Sequence, residues 1–115
     1  MQYAVLIHEK PGVYEALGDD ERKAITAEYW ALREEPGVLT GASLQPASTA
    51  TTVRMDEGKA LLTDGPFADT KEVFAGYYVL EADDLDAALA FATRVPAVRL
   101  GGAVEVRALR EGRRN

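Results

Sequence analysis

Residues 76–109 read GYYVLEADDLDAALAFATRVPAVRLGGAVEVRAL, and this stretch decides the fold. It opens on a β-rich apolar run, GYYVLEA. Leu85, Ala88, Leu89 and Ala92 then recur at helical spacing on one face, with Asp83 or Asp84 placed to cap the helix and Pro96 to stop it. Gly101 and Gly102 lead into AVEVRAL, residues 103–109, where apolar and polar residues alternate as in a strand. The whole stretch is a β-α-β unit.

A second unit of the same kind lies upstream. YAVLIH at 3–8 is a short β-rich run, broken soon after by Pro11-Gly12. From Asp19 the period changes: Ile25, Tyr29 and Leu32 fall at i, i+4 and i+7, and the acidic DDE at 19–21 sits where a helix N-terminus favours negative charge. A helix is expected from about residue 20 to 35, ended by Pro36-Gly37. VLTGASLQPASTATTVRM at 38–55 suggests two short strands around Pro46. DEG at 56–58 is a turn signal, so residues 50–64 are expected as a hairpin. The order β-α-β, hairpin, β-α-β predicts an α+β, ferredoxin-like domain: an antiparallel sheet with both helices on one face. Residues 1–109 form that single domain, and 110–115 are expected to be a frayed tail.

Two helices cover one side of such a sheet, yet both sides are apolar in sequence. Val5 and Ile7 alternate with Ala4 and Leu6, and Tyr78 and Leu80 with Tyr77 and Val79. A water-facing side normally carries polar residues, so a second subunit is expected on it, giving a homodimer. Scattered exposed apolar residues are the simpler alternative.

The bulk numbers exclude several function classes. The 115 residues, 47% hydrophobic and 28% charged, suit one globular core rather than a disordered chain. A net charge of -6 argues against direct nucleic-acid binding, which needs a basic footprint. Arg107, Arg110, Arg113 and Arg114 are a local exception, read as a solubilising end. There is no cysteine, which removes disulfides, thiolate metal sites and cysteine nucleophiles. MQYAVLIHEK has neither a basic n-region nor an apolar run long enough for a signal or a membrane span, so a cytoplasmic protein is expected. One histidine with scattered carboxylates gives no metal-ligand spacing, and no phosphate loop or dinucleotide fingerprint occurs; no cofactor is expected.

DGPFADTKE at 64–72, followed by GYYVLEADDLDAALAFATRVP and GGAVEVRAL, resembles the DGPF-type branch of the YCII-related family. MQYAVLIH and LQPASTATTVR are similar to that family as well, so the resemblance spans about residues 1–109. It implies a ferredoxin-like subunit that dimerises into an α/β barrel. It also implies, for some relatives, activity on small aromatic or chlorinated molecules with a His-Asp acid–base pair, and for others an association with extracytoplasmic-function sigma factors. The family's suspected histidine lies on the first helix, and the first helix here has none.

Asp64 is the first candidate for chemistry. At a strand end before Gly65-Pro66, its carboxylate could enter a cavity as a general base, or bond its own following amides as an Asx turn. His8, the sole histidine, is the side-chain type suited to proton transfer near neutrality, and it is equally a candidate structural group at the end of strand one. A His8-Asp64 dyad is a separate hypothesis. Gly65, Pro66, Phe67, Lys71, Tyr78, Trp30 and Arg54 are candidate binding residues: the aromatics for a planar ligand, Lys71 and Arg54 for an anion. Tyr29 and Tyr77 are also candidates to line an aromatic pocket, with Tyr29 on the apolar helix stripe read as core, and Lys71-Glu72 are read as part of a solvated helical turn in DTKEVF. The expectation is a small-molecule binder with a pocket near the dimer interface and a carboxylate for acid–base work. The alternative is a non-catalytic accessory protein working with a sigma factor.

Overall fold

The computed structural model describes residues 1–67 and 71–110. In chain order it contains β1 (Gln2–Glu9), α1 (Asp19–Arg33), β2 (Val38–Ser43), β3 (Thr51–Asp56), β4 (Lys59–Asp64), β5 (Val73–Glu81), α2 (Leu85–Ala92), α3 (Pro96–Arg99) and β6 (Ala103–Ala108). Four strands make an antiparallel sheet ordered β2-β5-β1-β6, the ferredoxin-like order, while β3 and β4 pair apart as a ribbon. The expected α+β architecture is therefore present.

Local chemistry explains the element ends. At the start of α1 the Gly18 amide donates to Glu21 Oε1 at 3.2 Å, and Asp19, Asp20 and Glu21 complement the helix dipole. At the start of α2, Asp84 Oδ1 accepts from the Ala87 amide at 2.9 Å. The β3–β4 turn places Glu57 at φ 50° and Gly58 at φ 81°, the left-handed pair that a two-residue hairpin turn requires.

Three local expectations are corrected. The inward face of α2 is Ala88, Phe91 and Ala92, whereas Leu85 and Leu89 are exposed; Phe91 is the larger anchor and turns the helix toward itself. Pro96 does not stop that helix, which ends at Ala92; it opens α3, where its missing N–H and fixed φ suit the first helical position. Val73 and Phe74 are not helical but belong to β5, held by pairing with Glu9 and His8. Residues 68–70 of DGPFADTKE and 111–115 of the expected tail lie outside the described residues.

The core lies between the sheet and the helices. Val5, Ile7, Tyr78 and Leu80 face Leu32, Phe91, Ala92, Val95 and Ala97, and Tyr78 meets Phe91 edge-on with centroids 5.4 Å apart. Arg94 grips Glu35 with two bonds of 2.6 and 2.7 Å, and Arg99 pairs with Glu28, so the α2–α3 region is tied to α1 and the turn after it. All three helices occupy one side. The register sets Leu6 beside Tyr77 and Ala4 beside Val79 on the other side, where no helix lies. Among the described residues no helix is long and apolar enough to cross a membrane.

Candidate functional site

A cleft of about 830 Å³ opens where β1 runs into α1. Ile7, Gly76 and Tyr78 form its floor, and Thr26, Tyr29, Trp30 and Arg33 of α1 one wall. The loop Glu9–Gly12 with Tyr14 and Glu15, and the segment Gly41–Ala47, complete it. Gly76 makes the floor possible. A Cβ there would lie 2.6 Å from the Ala42 carbonyl oxygen, so only glycine lets β2 approach β5 this closely.

The strand's own period brings a carboxylate into this cleft. Tyr3, Val5 and Ile7 are the buried residues of β1, and Glu9 is the next position on that face. Its side chain therefore enters the half-buried space beside α1. Burial and then the charge of Glu15 raise its carboxyl pKa above the ordinary 4.5. Across from it, Tyr29 holds its hydroxyl buried without a hydrogen-bond partner of good geometry. Burial and the Glu9 charge push that phenol upward, only partly opposed by the Ala97 backbone, so it stays a neutral donor. Lys10 and Arg33 line the same space and supply positive charge.

Tyr78 fixes the arrangement. Its hydroxyl donates to the Tyr29 carbonyl at 2.7 Å, coupling β5 to α1 beneath the cleft, and burial pushes its pKa up to about 12. Gly41 leaves the room it needs: a Cβ there would stand 2.7 Å from Tyr78 Cδ1.

Of the residues singled out in the sequence, Tyr78 and Trp30 line the cleft. His8 does not. It sits on the helix-free side of the sheet, with its ring tilted against Phe74 at 5.5 Å and Nε2 3.4 Å from Glu105 Oε1. Asp64 closes β4 opposite Thr51 and is exposed; it belongs to the ribbon, whereas His8 belongs to the four-stranded sheet. Gly65 adopts φ 96° and ties the ribbon's root, its amide donating to Ala50 at 2.7 Å and its carbonyl accepting from the Thr52 hydroxyl at 2.8 Å. Pro66, Phe67 and Lys71 are exposed, and the Arg54 guanidinium lies 4.8 Å from the Phe67 ring centre. Among the described residues no three potential metal ligands cluster.

Glu9 is the functional candidate that sequence reasoning passes over, and Tyr29 is the one it weighs for a pocket but reads as core. The signal for Glu9 was present: extending the 3, 5, 7 alternation by one step puts a carboxylate where a core side chain is expected. Tyr29 carries no such mark, since a tyrosine on an apolar helix stripe looks like core.

The sequence model of the YCII-related domain family matches residues 1–112. An uncharacterized protein of Rhizobium meliloti (strain 1021) is 36% identical over 96 residues, covering 80% of this chain and 77% of that protein. Among solved structures, 5-chloro-2-hydroxyhydroquinone dehydrochlorinase from Burkholderia phenoliruptrix AC1100, in complex with 2,5-dihydroxybenzoquinone, aligns with a TM-score of 0.54 at 18% identity. The alignment covers 97% of this chain and 96% of that one, and the likeness is one of fold.

Proposed function

The chain belongs to the family of YCII-related domains, and from that premise we propose that it binds a small planar molecule in the α1–β5 cleft and transfers a proton there with Glu9. The observation that carries this reading is Glu9 itself, a half-buried carboxylate with a raised pKa lining the cleft beside Tyr29. A base needs a pKa nearer neutrality than a free carboxylate has, and burial supplies the shift. Trp30 on the α1 wall offers a flat surface along the cleft for a ring to rest on.

The chemistry follows from the charges. A substrate O–H or acidic C–H bond breaks, the proton passes to a Glu9 carboxylate oxygen, and the electron pair settles on a ring oxygen as phenolate or enolate. Lys10 and Arg33, which line the same cleft, offset that negative charge. The fold neighbour is held with a hydroxylated quinone, so hydroxylated and halogenated rings and quinones are the first compounds to screen. Turnover by wild type that falls at least about 100-fold in Glu9→Gln, but not in Asp64→Asn or His8→Ala, supports Glu9 as the base. Equal turnover by Glu9→Gln removes it and returns Asp64 to the role.

A regulatory partner of a sigma factor needs the cleft but not the base. Ligand binding that is indifferent to Glu9→Gln, with no turnover, favours that second reading. The subunit is further read as a homodimer. Support comes from the helix-free sheet side, where Ala4, Leu6, Tyr77 and Val79 form an apolar centre bordered by His8, Glu105 and Arg107.

A further inference from the structure

The ribbon β3–β4 has two unlike faces. Val53 pairs with Leu62 and Met55 with Ala60 on one; Thr52 pairs with Thr63, Arg54 with Leu61 and Asp56 with Lys59 on the other. The first face is apolar from Val53 and Met55 across to Leu62 and Ala60, with Thr51 and Asp64 closing it at the ribbon's root, yet Val53 is 63%, Met55 69% and Leu62 65% exposed. Among the described residues no other element covers it, because β3 and β4 pack substantially only on each other. A lone two-stranded ribbon is marginal in water, and apolar-polar alternation marks one with a covered face. The arm also stretches the molecule: the radius of gyration is 16.0 Å, where a compact chain of this length has about 13 Å.

We propose that the apolar face of this arm packs on a second copy of the chain, so that the two subunits exchange arms. The inference rests on the homodimer reading above and adds the element that clasps it. The occupant is a second copy because each chain leaves two apolar surfaces open, the arm and the helix-free sheet side, and one two-fold operation covers both pairs together. The geometry agrees. The arm springs from the segment after β2, an edge strand of the sheet. Six extended residues reach about 20 Å, whereas stacked sheets lie about 10 Å apart, so an arm rooted at the edge extends past a sheet contact onto the partner.

The test is the solution mass by light scattering over a micromolar dilution series, with circular dichroism as the control for folding. Wild type is expected at twice the 12.5 kDa chain mass. Val53→Asp with Leu62→Asp is expected to weaken the dimer at least about tenfold while the spectrum stays native, because both side chains are largely exposed. Val53→Ser with Leu62→Ser gives the same ordering without added charge. Lys59→Asp with Thr63→Asp, on the opposite face, leaves the dimer intact. A dimer that ignores both apolar-face variants but dissociates in Leu6→Asp overturns the arm and keeps the homodimer. A wild-type monomer overturns both.

Discussion

The Tyr78 hydroxyl donates to the Tyr29 carbonyl at 2.7 Å, so the central strand β5 holds α1 at the residue whose own hydroxyl lies buried near Glu9. The sheet thus sets where Tyr29 stands. Tyr78→Phe removes the donor and keeps the ring, and a loss of about 1 kcal/mol in urea unfolding is expected. Ligand affinity should fall further than stability does, because Tyr29 is no longer held. An affinity that stays at the wild-type value would show the bond to be structural only.

Glu9 is expected to oppose folding at neutral pH. Its folded pKa lies above the unfolded value, so its protonated form is the favoured one in the fold and its charge costs stability as pH rises through the raised value. Glu9→Gln should therefore be at least as stable as wild type at pH 7, with the difference closing below about pH 4.5. Thermal melts of both proteins from pH 4 to 8 check the sign. A variant less stable than wild type at pH 7 contradicts the assigned burial.

Glu35 behaves in the opposite sense. Its hydrogen bonds to Arg94 hold its carboxyl below the ordinary 4.5, so the pair's contribution is present above that value and is lost as pH falls through the lowered one. The pair is largely exposed, and a cost of about 0.2–1 kcal/mol for Glu35→Gln is expected at pH 7 in low salt. The cost should vanish at acid pH and shrink in high salt. A loss that persists at pH 3 would point to packing instead.

Gly76→Ala brings a methyl group against the Ala42 carbonyl, and backbone cannot rotate away as a side chain would. A loss of about 1–3 kcal/mol is expected. Because β2 and β5 both line the cleft, ligand binding should weaken as well. Chemical denaturation with a parallel binding titration measures the two effects together.

Much of this architecture was legible in the residues. Ile25, Tyr29 and Leu32 announced α1, the Asp-capped alanine-rich run announced α2, and DEG at 56–58 announced the ribbon turn, because periodicity and turn chemistry are local. The phase of α2 was not legible, since Phe91 prevails over Leu85 and Leu89 only once the sheet supplies Tyr78 to pack against. Tyr78 and Trp30 were found for the cleft because aromatics beside a sheet end are natural lining. Asp64 and His8 drew the eye by chemical type, while their placement depended on which sheet each strand joined. Glu9 escaped because a charged residue at a strand's end looks like the start of a loop.

Trp30 is the chain's sole tryptophan and lines the cleft, so its emission reports directly on what enters there. The decisive measurement is a fluorescence titration with the hydroxylated quinone probe, corrected for absorbance and run beside free tryptophan amide. Saturable quenching in wild type, weakened in Glu9→Gln and unchanged in Asp64→Asn, is the predicted result. Quenching that rises linearly without saturation, as for the free amide, would contradict a ligand site in this cleft.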